Sequence, residues 1–162
     1  MHESRPRDAI VVGLGSPDRR DDAAGLEAVR LLAPLVPPDV RVAALPGRET
    51  ELLDLWTGAP LAIVIDAVLS GAAPGTVHRL DGFIDALPGS PPHPSSHDLG
   101  LPDIVELGRA LGRLPARLLI LGIEAGTVAH GPGLSPPVRI GVERAVRIAL
   151  AEVATARSPS PA

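Results

Sequence analysis

The strongest constraint on the fold is a continuous apolar run, residues 61–68 (LAIVIDAV), which is interrupted only by the carboxylate of Asp66. A short run without polar alternation is typical of a strand that is buried on both faces of a parallel sheet. Residues 9–15 (AIVVGLG) and residues 118–124 (LLILGIE) form two similar runs. Strands of this kind require helices on both faces of the sheet.

Amphipathic segments alternate with these strands. We expect helices from Asp21 toward Pro34, over residues 49–56, from about Leu101 to Leu111, and after Ser135, where serine would cap the helix. Residues 40–45 and 75–80 predict two more strands, the second at the sheet edge. The sequence therefore predicts an α/β fold: a single three-layer αβα domain over residues 9–156, with a mainly parallel, twisted sheet of about five strands. Residues 1–8 are expected to be a flexible N-terminus and residues 157–162 a disordered tail.

Composition excludes several classes of function. The chain has 162 residues, a formal net charge of −4 and only 1% aromatic residues, which argues against nucleic-acid binding. It has no cysteine, so thiolate metal sites and cysteine nucleophiles are excluded. No apolar stretch approaches the roughly 18 residues that cross a bilayer, and the polar start does not resemble a signal peptide. We expect a cytoplasmic monomer that binds neither nucleic acid nor membranes.

Ligands of open α/β sheets bind outside the carboxyl ends of the strands. This rule selects the loop of residues 13–22, Asp66, and Glu124 with the loop that follows it. The two glycines of the first loop do not predict a dinucleotide site, because Asp18 replaces the third glycine of that fingerprint and the acids of the loop would repel a pyrophosphate. We therefore predict no residues that bind an organic cofactor.

The acids in these places have competing interpretations. Asp21 and Asp22 stand where the first helix begins, so one of them would cap the helix and leave the other for chemistry. Asp66 ends an apolar strand, where a carboxylate is costly unless it has a catalytic role or a hydrogen bond to a neighbouring loop. Arg19 and Arg20 could bind an anionic partner, but we expect them to be solvated.

A histidine could complete a metal site with these acids. His97 precedes the third helix, and His93 in the same proline-rich loop is its competitor. His78 on the edge strand is expected to be solvated, and His130 has no acid near it in the sequence. Two carboxylates and one imidazole suit a divalent metal of the nickel or zinc class. The chain has neither the HExxH pair of zinc proteases nor the GxSxG elbow of serine hydrolases.

A set of short motifs resembles the hydrogenase maturation proteases over nearly the whole chain. The motifs are residues 11–16 (VVGLGS), 21–25 (DDAAG), 64–68 (VIDAV), 74–77 (PGTV), 96–101 (SHDLGL) and 133–138 (GLSPPV). The resemblance implies an endopeptidase that trims the C-terminal extension from the large-subunit precursor of a nickel–iron hydrogenase after nickel insertion. It also implies that the nickel is part of what the protease recognises.

The resemblance assigns metal contact to Asp22, Asp66 and His97, and so selects His97 over His93. Asp22 and Asp66 would also be catalytic, in a metal-assisted or aspartic-type mechanism within a shallow acidic cleft. The metal would be nickel supplied by the substrate, so the free enzyme could be empty. Two mechanisms stay open: the metal polarises the scissile carbonyl, or a carboxylate activates water.

Two alternatives belong to different classes of function. One is a non-catalytic maturation chaperone that senses nickel in the precursor through the same three residues. The other is a small α/β enzyme that acts on a phosphorylated or nucleoside ligand. The second alternative would call for a first loop with basic residues and clustered amides rather than with Asp18, Asp21 and Asp22.

Overall fold

The computed structural model describes residues 9–88 and 99–158, and it confirms the expected α/β architecture. Within these residues a single sheet has the strand order β2–β1–β3–β5–β4. The strands are β1 (Ile10–Gly15), β2 (Arg41–Pro46), β3 (Ala62–Val68), β4 (Val77–Asp81) and β5 (Leu118–Glu124). Neighbouring strands are parallel except β4, which runs antiparallel to β5 at the sheet edge.

Helices cover both faces of the sheet. They are α1 (Ala24–Leu32), α2 (Leu52–Trp56), α3 (Leu101–Leu111) and α4 (Pro136–Arg157), and short 3₁₀ turns (Arg20–Ala23 and Glu49–Glu51) lead into α1 and α2. The helix α4 thus includes Arg157, the first residue of the expected tail. None of the helices described in this structure has both the length and the apolarity that a membrane crossing requires.

The core consists of two apolar layers, one on each side of the sheet. Ile63 and Ile65 of β3 pack toward α1 and α4, whereas Ala62 and Val64 pack toward α2 and α3. Because successive side chains of a strand point to opposite faces, a strand covered on both sides must be apolar at every position. The double coverage explains the unbroken apolar runs in β1, β3 and β5.

Gly25 brings α1 unusually close to the sheet. A Cβ atom at this position would lie 2.2 Å from the carbonyl oxygen of Ile65 and 2.4 Å from that of Leu14. Since only glycine fits at this distance, the first turn of α1 rests directly on the carboxyl ends of β1 and β3. The preceding 3₁₀ turn, Arg20–Ala23, therefore also lies at that edge of the sheet.

Candidate active site

Buried acids are concentrated around the carboxyl ends of the parallel strands. A buried carboxylate is costly unless it is hydrogen-bonded or paired, so a group of such residues at one edge indicates a site of chemistry or a dense polar network. Among the described residues, the buried acids near the carboxyl ends of the strands are Asp21, Asp22, Glu49, Asp66 and Glu124. Their contacts distinguish structural from functional roles.

Asp21 is a structural anchor. Its Oδ1 accepts a hydrogen bond from the backbone N–H of Ser135 (2.7 Å), and its Oδ2 accepts from the backbone of Gly126 and Thr127 (both 2.9 Å) and from the Ser135 hydroxyl (2.8 Å). Burial alone would raise the pKa of Asp21, but these hydrogen bonds outweigh it and hold the pKa below its ordinary value. The ionised carboxylate thus ties the first loop to the loop after β5.

The prediction of helix capping was wrong for both Asp21 and Ser135. Neither the 3₁₀ turn nor α1 has a side-chain cap. Ser135 is the N-cap residue of α4 by position, but it makes no capping hydrogen bond, and its hydroxyl donates to Asp21 instead. The two residues that were expected to serve separate helices therefore bind each other.

Backbone contacts reinforce the link between the two loops. The N–H of Arg20 donates to the carbonyl of Gly131 (3.0 Å), and the N–H of Gly131 donates to that of Asp18 (2.9 Å). Arg19, which was expected to be solvated, donates through Nε to the carbonyl of Val128 (3.2 Å). The arginine has this partner because the loop after β5 folds back over the first loop.

Asp22 lies beside this anchor and rests on the end of β1. Its carbonyl accepts a hydrogen bond from Ser16 (3.3 Å), and a Cβ atom on Gly15 would lie only 2.0 Å from that oxygen. Asp22 is 1% exposed. The 3₁₀ turn that carries Asp22 also packs against β3, the strand of Asp66.

Asp66 lies opposite Gly122 of β5, near the carboxyl end of β3. Because side chains alternate along a strand, Asp66 shares the face of Ala62 and Val64, which α2 and α3 cover. Asp66 is 5% exposed. Both carboxylates are therefore buried, whereas the resemblance implied a shallow acidic cleft.

His97, the third member of the predicted metal set, lies outside the described residues, as does its competitor His93. Over residues 9–88 and 99–158, no three His, Cys, Asp or Glu side chains are arranged as a metal site. The predicted set has only Asp22 and Asp66 within those ranges, so the metal site of Asp22, Asp66 and His97 stays a prediction.

Glu124 forms a second polar cluster on the same face of the sheet. Its Oε2 accepts from the backbone N–H of Ser70 (2.8 Å), and its Oε1 accepts from the Ser70 hydroxyl and lies 3.1 Å from Nε2 of His78. Burial would raise the pKa of Glu124, but the hydrogen bonds from Ser70 and His78 hold it below its ordinary value.

His78 was expected to be solvated, and that prediction was wrong. Its side chain is only 24% exposed because it contacts the Glu124 carboxylate. The antiparallel pairing of β4 with β5, which sets His78 opposite Gly122, brings His78 to this acid. The sequence predicted only one member of this cluster. The position of Glu124 at a strand end pointed to it, but nothing in the sequence indicated that Ser70 and His78 would contact it.

Comparisons with known proteins agree on one family. A family model described as hydrogenase maturation protease matches residues 48–152. The hydrogenase 2 maturation protease of Escherichia coli strain K12 is 30% identical over 146 residues, which cover 88% of each chain. The solved structure of the hydrogenase maturating endopeptidase HybD from Escherichia coli matches at 26% identity and a TM-score of 0.77, over 93% of this chain and 94% of that one.

A more distant structure supports the fold. The [NiFe] hydrogenase maturation protease HybD from Thermococcus kodakarensis matches at 23% identity and a TM-score of 0.66, over 90% of this chain and 99% of that one. The family model covers well over half of the chain and includes Asp66. The match to the Escherichia coli protease spans most of both chains. The chain is thus a peptidase that belongs to the hydrogenase maturation protease family.

Proposed function

We propose that this peptidase removes a C-terminal extension from the large-subunit precursor of a nickel–iron hydrogenase, and that it recognises the precursor's nickel through Asp22, Asp66 and His97. The observation that carries the proposal is the pair of buried carboxylates, Asp22 and Asp66, on two segments that pack against each other at the carboxyl edge of the sheet. Ligand sites of open α/β sheets lie at this edge.

The different contacts of Asp21 and Asp22 support the assignment. Asp21 supplies the anchor between the two loops through four hydrogen bonds, so Asp22 is not needed for it. The anchor also fixes the backbone of the 3₁₀ turn, and with it the position from which Asp22 acts. The adjacent acids thus have separate roles, one in positioning and one in the proposed chemistry.

The donor set suits the metal that the precursor would bring. Carboxylate oxygens and an imidazole nitrogen bind divalent metals of the nickel and zinc class. Because the precursor already holds its nickel, Asp22, Asp66 and His97 need to fill only the remaining coordination positions. Docking through the metal would position the scissile bond, and positioning of this kind can lower a barrier by several kcal/mol.

Hydrolysis requires a proton acceptor beside the attacking water. The water oxygen bonds to the scissile carbonyl carbon, the C–N bond breaks, and a proton passes to the amine nitrogen. The carboxylate of Asp22 or Asp66 can accept the proton from water and deliver it to the amine. Polarisation of the carbonyl by the precursor's metal is the alternative route. Burial favours both routes, because charges interact more strongly away from bulk water.

The test is the intact mass of a nickel-loaded large-subunit precursor, followed over time. Wild type should produce the shortened subunit, and Asp22→Ala, Asp66→Ala and His97→Ala should each slow processing by about 100-fold or more. Asp18→Ala is the matched control, because Asp18 is an exposed acid in the same loop as Asp22.

Two results would contradict the proposal. Undiminished processing by all three variants would remove the site assignment. A stable complex of wild type and precursor without any shortening would remove the cleavage step and favour the nickel-sensing chaperone.

A further inference from the structure

Glu124 forms hydrogen bonds to both ends of the β3–β4 connection (residues 69–76). Its carboxylate accepts two hydrogen bonds from Ser70 at the start of the connection and contacts His78 just after its end. Its backbone carbonyl accepts from Gly75, and its N–H donates to the carbonyl of Thr76, both at 2.8 Å. The side chain and the backbone of one buried residue thus hold both ends of the connection against β5.

The connection lies between the strand of Asp66 and the anchor at Asp21. Gly75 packs so closely on the N-terminus of α4 that a Cβ atom there would lie 2.1 Å from the carbonyl oxygen of Pro137. Pro74 packs against Gly126, the residue whose N–H donates to Asp21. A shift of the connection would therefore reach both acidic segments of the candidate site.

We infer that Glu124 is a positioning residue of the peptidase, which holds the carboxyl end of β3, and hence Asp66, in place relative to Asp22. This inference rests on the proposed role of the two aspartates. In the register of β3 and β5, Glu124 pairs with Val68. Asp66 lies two residues before Val68 on the same face of β3, opposite Gly122. Glu124 thus acts on the strand within two residues of Asp66.

The chemistry of the cluster calls for a side chain that accepts several hydrogen bonds. Ser70 presents a backbone N–H and a hydroxyl, and His78 presents a third donor in its Nε2–H form. An ionised carboxylate has enough lone pairs to accept all three. Without it, the three donors lose their shared acceptor, and the start of the connection is no longer held to β5.

Asp22 and His97 would still contact the precursor's nickel if Asp66 shifted, so we expect a larger effect on turnover than on docking. A displacement of about 1 Å in a catalytic geometry can cost about 100-fold in rate, even when the change lies away from the reacting atoms. We therefore expect Glu124→Ala to lower kcat for precursor processing by roughly 10- to 100-fold and to leave KM within about 3-fold. Glu124→Gln should recover most of the loss, because its amide oxygen accepts from the Ser70 N–H and its amide nitrogen can donate to the Ser70 hydroxyl or to His78.

The matched control is Glu152→Ala. Glu152 is also a buried acid, but its ion pairs are with Arg79 and Arg117 and not with the β3–β4 connection. Its loss should destabilise the fold and leave kcat unchanged at temperatures where the variant is folded. Hydrogen exchange adds a readout independent of activity: the amides of residues 69–76 should exchange faster in Glu124→Ala and not in Glu152→Ala.

Several outcomes would overturn the inference. An unchanged kcat in Glu124→Ala would make the cluster purely structural, and an equal loss of kcat in Glu152→Ala would point to general destabilisation. If Glu124→Ala does not fold, Ser70→Ala decides instead. It removes the hydroxyl that donates to Glu124 and that also contacts His78 and the N–H of Ala72, but it keeps the Ser70 N–H on Glu124. It should lower kcat a few-fold, and an unchanged kcat contradicts the inference. Failure of wild type to shorten the precursor would instead overturn the proposed function, and hydrogen exchange would still test the role of Glu124.

Discussion

Replacement of Asp21 by asparagine tests the anchor between the two loops. The asparagine oxygen can take the place of Oδ2 and keep its three donors, but the amide nitrogen then faces the N–H of Ser135 in place of Oδ1. The hydrogen bond from the Ser135 N–H is lost, and that buried donor remains unsatisfied. The other three hydrogen bonds are kept, but their acceptor is no longer charged. Hydrogen bonds to charged groups contribute about 1.5–3 kcal/mol each, and an unsatisfied buried group costs about 1–3 kcal/mol.

We therefore expect Asp21→Asn to lower the free energy of unfolding by about 3 kcal/mol at pH 7. For a domain of this size, that loss corresponds to a fall in Tm of about 6–12 °C. Urea unfolding followed by circular dichroism measures the difference. Asp18→Asn is the control, because its exposed side chain lies in the same loop, and it should change stability by less than about 0.5 kcal/mol.

The pH dependence checks the cause of that difference. The pKa of Asp21 is lowered in the folded protein, so its ionised form contributes fully to stability above the ordinary carboxyl pKa. This contribution is lost as the pH falls below about 4 and through the folded-state pKa, and the gap between wild type and Asp21→Asn should shrink over that range. A gap below about 1 kcal/mol at pH 7, or one that stays constant down to acid pH, would refute the reasoning.

Three other changes have defined outcomes. Gly25→Ala should lower the free energy of unfolding, measured by thermal or urea unfolding, by more than about 3 kcal/mol, because its Cβ would lie 2.2 Å from the Ile65 carbonyl oxygen. Gly112→Ala is the comparison: a Cβ there enters open space at φ +64°, so the free energy of unfolding should fall by only about 1 kcal/mol. Glu152→Gln should lower the free energy of unfolding by about 1 kcal/mol. This loss should be smaller at high salt, because the two arginine partners of Glu152 are about half exposed and salt screens their charges. Asp66→Asn should abolish processing of the precursor, as the precursor's intact mass would show, because a neutral amide neither accepts a proton from water nor binds a metal as a carboxylate does.

The sheet and its central acid could be predicted from local pattern. A strand covered by helices on both faces must be apolar at every position, so the runs that became β1, β3 and β5 were visible, and Asp66 stood out against its apolar neighbours. The rule for the carboxyl ends of strands then selected the first loop and Glu124 as well. These inferences need no knowledge of which distant residues meet.

Partners far apart in the chain could not be predicted. Asp21 was interpreted as a possible helix cap because only its local position was visible, but its hydrogen-bond partners lie 105 to 114 residues away. His78 was expected in solvent because the sequence does not show that β4 pairs with β5. In both cases a contact between distant segments replaced the interaction that local position favoured.

The most direct test compares nickel-loaded and nickel-free large-subunit precursor, each incubated with wild type and with Asp66→Asn, by intact mass. If recognition works through the precursor's metal and the two aspartates, only the nickel-loaded precursor with wild type loses its extension. Equal shortening of the nickel-free precursor, or full activity of Asp66→Asn, would contradict that role for the buried acids.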